Sequence, residues 1–167
     1  MRYVLVDRFL EIEAGSRARA VKCVTRGEEF LGDLPHYPSA LVLESLLQTG
    51  GALTRAGAGP RRMSVLGKVN RASFAGHAQP GDRIDLEVSV ALSRPEGTLC
   101  EGVATVEGRE VGRAEFMIVL LPPEMTPPPD AERDAYRGLL ARALGLESAL
   151  DNGHGGLGSG ALPEENA

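Results

Sequence analysis

The stretch Pro38-Ser39-Ala40-Leu41-Val42-Leu43-Glu44-Ser45-Leu46-Leu47-Gln48-Thr49-Gly50-Gly51 decides the architecture. Pro38 suits a helix start, because its missing N–H would be unpaired there in any case. Ser39 is a candidate cap at or beside that start. Leu41, Val42, Leu43, Leu46, Leu47 and, further on, Leu53 cover most of the helix circumference, and a helix apolar nearly all round is buried. The spacing predicts a helix over 38–54, weakened by Gly50-Gly51 and stopped by Gly57-Ala58-Gly59-Pro60. Glu44 is the lone charge in that run. If it is buried, desolvation disfavours the carboxylate, its pKa moves upward, and a carboxyl kept protonated near neutral pH is a natural proton donor. The other reading places Glu44 at the helix edge in solvent. Gln48 lies one turn on and shares its face.

Outward from the helix the periodicity changes from 3.6 to 2. Tyr3 to Glu13 reads as a strand and Ala14-Gly15-Ser16 as a turn. Arg17 to Thr25 reads as a second strand, with Arg17, Arg19 and Lys22 outward and Ala18, Ala20 and Val21 or Cys23 inward. A polar loop runs from Arg26 to Tyr37. Beyond the helix come four strands: Met63 to Phe74, Arg83 to Leu92, Leu99 to Val106 and Val111 to Leu121. In the second of these Ile84, Leu86, Val88 and Val90 face one way. Pro80-Gly81-Asp82, Pro95-Glu96-Gly97 and Glu107-Gly108-Arg109 are the turns. Two strands, a buried helix and four strands describe an α+β domain, one antiparallel sheet wrapped round a long helix, over residues 1–121. Residues 122–150 form a proline-rich linker and a short helix, Ala131 to Leu144, capped by Asp130. Residues 151–167 are Gly-rich and expected to be disordered.

Composition narrows the function. The chain has 167 residues, 43% hydrophobic and 25% charged, enough for one domain with a core. It has no Trp and 4% aromatics, which argues against stacking platforms for single strands. A net charge of -5 leaves no basic footprint for nucleic acid. No apolar run approaches the roughly 20 residues needed to span a bilayer. The N-terminus is broken by charge too early for a signal peptide, so a cytoplasmic protein is expected. Cys23 and Cys100 are too few for a disulfide scaffold or zinc site and read as small buried hydrophobes. His36, His77 and His154 lack metal-ligand spacing, so neither metal nor other cofactor is expected. Asp33, His36 and Tyr37 lie on the loop feeding the helix, where they can converge near Glu44; His36 taken alone reads as a loop histidine without a task. His77 and Asp82 flank a turn and read as serving it. Arg61, Arg62 and Lys68 to Arg71 read as solvated charges with the potential to attract an acidic partner.

Taken together these segments resemble the FabZ-type 3-hydroxyacyl-[acyl-carrier-protein] dehydratases of the hot-dog fold, over roughly Tyr3 to Leu121. Val4-Leu5-Val6-Asp7-Arg8 is similar to that family's opening, and Phe30-Leu31-Gly32-Asp33-Leu34-Pro35 to its active-site loop. Pro38-Ser39, Glu44 and Gln48 resemble the start and catalytic face of its central helix. Arg71-Ala72-Ser73-Phe74 and Pro80-Gly81-Asp82 resemble its third strand and following turn, and Gly102 to Val106 with Ala114 to Met117 its last two strands.

The resemblance implies removal of water from a 3-hydroxyacyl thioester on acyl carrier protein or CoA. A loop histidine takes the proton beside the thioester carbonyl, and a helix carboxylate from the other subunit of a homodimer protonates the leaving hydroxyl. Backbone N–H groups at the helix start, here Ser39 and Ala40, polarise the carbonyl. Gln48 and Phe74 are the further substrate-binding residues it implies. The chain departs from the pattern at the loop. Asp33 stands where the family has its catalytic histidine, the loop before Pro38 is about three residues short, and Ser39 replaces a glycine. Three readings follow. His36 replaces the missing base, in a His36-Tyr37-Pro38 similar to the family's His-Phe-Pro but displaced toward the helix. Alternatively the step is lost, and the chain is an acyl-binding partner, in a heterodimer with a homologous active subunit. In the third reading Asp33 or Glu44 serves thioester hydrolysis.

Overall fold

The computed structural model describes residues 4–28, 31–58 and 62–125. Six strands and one helix follow in the order β1 (Arg8–Glu13), β2 (Arg17–Cys23), α1 (Ser39–Ala56), β3 (Ser64–Ser73), β4 (Arg83–Arg94), β5 (Gly97–Val106) and β6 (Arg109–Leu120). They form one antiparallel sheet ordered β1-β2-β4-β5-β6-β3, with α1 packed on one face. This is the hot-dog arrangement expected from the sequence.

The alternation that predicts the strands sets the core. Ile84, Leu86 and Val88 on β4 are buried, while Arg83, Glu87 and Ser89 are exposed. Inward positions of β5 and β6 are small where the helix crosses: Cys100, Gly102, Ala104, Gly112 and Ala114. That lets α1 lie close. A Cβ on Gly102 would sit 3.2 Å from Leu46 Cδ2. Leu41, Val42, Leu46, Ala52 and Leu53 complete the helix side of one continuous hydrophobic cluster. The β5–β6 hairpin closes through Glu107 and Gly108 at φ 50° and 77°, the left-handed pair that a two-residue turn between twisted strands requires.

Several expectations need correction. β1 begins at Arg8 rather than Tyr3, and a register shift between Phe9 and Glu11 pairs Ile12 with Ala18, on the face that Phe9 shares with Ala20. Lys22 is buried, not outward, because a period of two places it with Ala18 and Ala20; Cys23 falls with Arg17 and Arg19 and is exposed. Burial of the Lys22 ammonium is compensated by an ion pair with Glu28, by the Cys23 carbonyl at 3.0 Å and by Asp7 at 3.6 Å. Pro123–Met125 forms a 3-10 turn where an extended linker was expected. The helix expected over 131–144 and the tail from 151 lie outside the described residues.

β1 and β3 are the two sheet edges. β3 carries Leu66 and Val69, both exposed, on a strand solvent-open along most of its length, with register shifts at Leu66/Lys68 and Val69/Arg71. Its outer edge has no strand partner among the described residues.

Candidate active site

Three segments meet ahead of the N-terminus of α1. The first is the loop entering the helix. Leu31 is buried and anchors two successive turns, closed by Leu31 N–H to Glu28 C=O and Leu34 N–H to Leu31 C=O, each 2.9 Å. Gly32, at φ 49°, turns the chain between them. Asp33 sits on this turn, exposed, with no hydrogen bond or ion pair among the described residues. The loop re-enters the body at Tyr37, whose ring is buried and whose N–H donates to the Ala78 carbonyl at 2.8 Å.

The second segment, Phe74 to Ala78, follows β3. Gly76 crosses close to the Glu110 carbonyl and Val111. Phe74 lies over Gly112: a Cβ there would be 3.2 Å from Phe74 Cδ1 and 3.0 Å from Val42 Cγ1, which places Phe74 beside the first turn of α1. The Tyr37–Ala78 bridge also brings His36 against His77, with ring centroids 4.6 Å apart and planes 12° from parallel. His77 therefore does more than serve its turn. Asp82 does serve it, accepting the Gln79 N–H at 2.7 Å.

The third segment is the helix itself. Pro38 is the N-cap, and no side chain caps the helix, so Ser39 is its first residue rather than its cap. The Leu41 and Val42 amides both donate to the Pro38 carbonyl. Those of Ser39 and Ala40 have no intrahelical partner, as at any helix start, and no acidic side chain lies in the first turn. Glu44, about 7.5 Å further along the axis, is half-buried, between the two environments considered for it. Gln48 donates from Nε2 to Glu44 Oε1 at 3.1 Å and accepts the Leu5 N–H at 2.9 Å. The N-terminal segment thus fixes Gln48, and Gln48 fixes the acid. Within one chain His36 and Glu44 make neither a hydrogen bond nor an ion pair with each other among the described residues.

Sequence reasoning missed the contacts of Leu5 with Gln48, of Val42 beside Gly112 and of His77 with His36. These contacts are long-range, and no local pattern announces them. Cys100 is buried beneath the helix, and burial pushes its thiol up to about 11, so it is an inert core residue. Among the described residues no cluster of His, Cys, Asp or Glu is suited to a metal ion, and no helix is long and apolar enough to cross a membrane. A groove of about 440 Å³ opens on the far face of the sheet beside Arg19, Arg83, Asp85 and Glu87; none of the residues above lines it.

One antiparallel sheet packed on a single long helix, with an apolar ring and an acid near the helix start, is the architecture of a hot-dog protein. Residues 1–115 match the FabA-like domain family. The FabZ 3-hydroxyacyl-[acyl-carrier-protein] dehydratase of Geobacillus thermodenitrificans is 37% identical over 123 residues, covering 71% of this chain and 85% of that protein. The chain belongs to the FabZ-type dehydratase family. Among solved structures, the dehydratase heterocomplex ApeI:P of Xenorhabdus doucetiae matches with a TM-score of 0.62 at 14% identity, over 72% of this chain and 85% of that one. The smu.793 protein of Streptococcus mutans bound to acetyl CoA matches with a TM-score of 0.58 at 14% identity, over 68% and 87%. At such identities the fold is what is shared.

Proposed function

We propose that the chain dehydrates 3-hydroxyacyl thioesters, carried on acyl carrier protein or CoA, to trans-2-enoyl thioesters, with His36 as the base. Family membership supports the reaction class. The observation that carries the assignment of the base is positional. Asp33, at the position where the resemblance puts the family's histidine, is exposed on its turn, whereas His36 is half-buried two residues before the helix N-cap, Pro38, and stacked on His77. The Ser39 and Ala40 amides hold the thioester carbonyl and Phe74 lines the acyl chain. His36 removes the C2 proton as the C2=C3 bond forms. The C3 hydroxyl leaves as water with a proton delivered by the Glu44 carboxyl.

The acid comes from a second copy. Within one chain no hydrogen bond or ion pair joins His36 to Glu44 among the described residues, and the open edge of β3, with Leu66 and Val69 exposed, suits pairing with another such edge. A homologous subunit in place of the second copy is the second reading, favoured by the loss of histidine at position 33 and kept in view by the relative named as a heterocomplex.

The experiment is turnover of a 3-hydroxyacyl thioester followed by enoyl absorbance. His36→Ala and Glu44→Gln are each expected to lower kcat by roughly 100-fold or more, and Asp33→Ala to leave it within about threefold. Loss with Asp33→Ala alone would move the base to Asp33. Release of free thiol without enoyl product would replace dehydration by hydrolysis. No turnover, with saturable acyl-carrier-protein binding retained, would leave a partner subunit.

A further inference from the structure

We infer that His77 is a positioning residue for His36, the two imidazoles forming a stacked pair that presents the base in one orientation. The inference rests on the reading of His36 as the base. Both rings are set by their chain neighbours. The Tyr37 N–H to Ala78 C=O bond, with Tyr37 and Ala78 each 1% exposed or less, fastens the two backbones together one residue beyond the histidines. The rings lie face to face at 4.6 Å and 12°. A histidine base is ordinarily oriented by a hydrogen bond to its second nitrogen. His36 lacks that contact among the described residues: Nδ1 is shielded and unpartnered. The stack is the contact that remains to hold the ring.

The pair also suits the charge change at turnover. When His36 takes the C2 proton its ring becomes an imidazolium, and the electron pair of the C2–H bond passes into C2=C3 as the hydroxyl departs with the proton from Glu44. The new charge forms against the π face of the His77 ring, an attractive arrangement absent from the ground state. His77 is exposed on its other side, so it can be replaced without opening the core.

The test uses the full chain near pH 8, where free imidazole is neutral. In the unaltered protein, proton NMR should show a cross-peak between the His36 and His77 ring protons. In His77→Ala the His36 ring protons should move downfield as ring-current shielding is lost, and kcat should fall roughly three- to tenfold with KM within about twofold. His77→Phe, which keeps a planar face, should restore the shielding and bring kcat to within about twofold of the starting value, whereas His77→Leu should not. Absence of the cross-peak, or equal rates for the Phe and Leu variants, would overturn the inference even with His36 essential. Full activity in His36→Ala, or no turnover by the unaltered protein, would overturn the base assignment and with it the positioning role, while the cross-peak would still report the stack itself.

Discussion

The two halves of α1 behave oppositely. From Thr49 to Leu53 the helix is pressed onto the sheet. A Cβ on Gly50 would stand 2.5 and 2.8 Å from Phe116 ring carbons, and Thr49 and Ala52 are fully buried. From Ser39 to Gln48 the same helix carries free amides, a half-buried acid and an amide side chain that reaches Leu5. One half is satisfied within the chain. The other also buries Leu41, Val42 and Leu46 in the core, but it presents two amides and an acid whose partners in the proposed reaction are a substrate and a second protomer. A single helix thus serves as core and as site, because its packed end fixes the direction in which the open end points.

Substitutions at each end should separate these roles. Phe116→Ala empties the seat under Gly50 and should lower stability by about 3–5 kcal/mol in urea unfolding. Lys22→Met leaves the Glu28 carboxylate, 12% exposed, without its cation beneath the site loop. It should lower stability by about 3 kcal/mol near neutral pH, and a further Glu28→Leu should recover much of that loss. Gly50→Ala adds a methyl against the Phe116 ring; a clash of about 3 kcal/mol less a helix-propensity gain of about 1 leaves a loss of about 2. Cys100 gives a pH signature. An unfolded thiol ionises near 9.0 and the folded one near 11. The stability this provides is whole below pH 9 and is lost as pH rises toward 11, by on the order of 1–2 kcal/mol, and Cys100→Ala should flatten that limb. The smallest effect on stability belongs to the open end. Ser39→Pro removes one free amide at a position where proline fits a helix, and Pro38 at φ −57°, ψ 134° already has the conformation favoured before proline. Stability should stay within about 0.5 kcal/mol while kcat falls by roughly 100-fold. Equal losses of stability and rate in Ser39→Pro would mean that the two ends are not separable.

Much of the fold was legible because the periods are strong. The Ile84-Leu86-Val88 alternation and the apolar circumference of 41–53 leave few alternatives for β4 and α1. Strand ends were less legible: Val4 to Asp7 is apolar enough for a strand but lies outside β1, whose ladder begins at Arg8. Lys22 was misread because charge was weighed above parity, although parity governs which face a strand residue takes. In the candidate site, Glu44, Gln48 and the Ser39 and Ala40 amides were legible, since all lie on one helix. His77 was not, because its partner is forty-one residues away and is brought to it by the Tyr37–Ala78 backbone bridge.

By itself the sequence determined the class of fold, the family, and an acid with its neighbouring amide on the helix, since these depend on patterns within a few turns of chain. The tertiary structure decided which loop group stands at the helix start and which is turned away, and it seated His36 against His77. Those outcomes depend on how two distant loops pack on one another, and packing between segments far apart in the chain leaves no periodic trace in either.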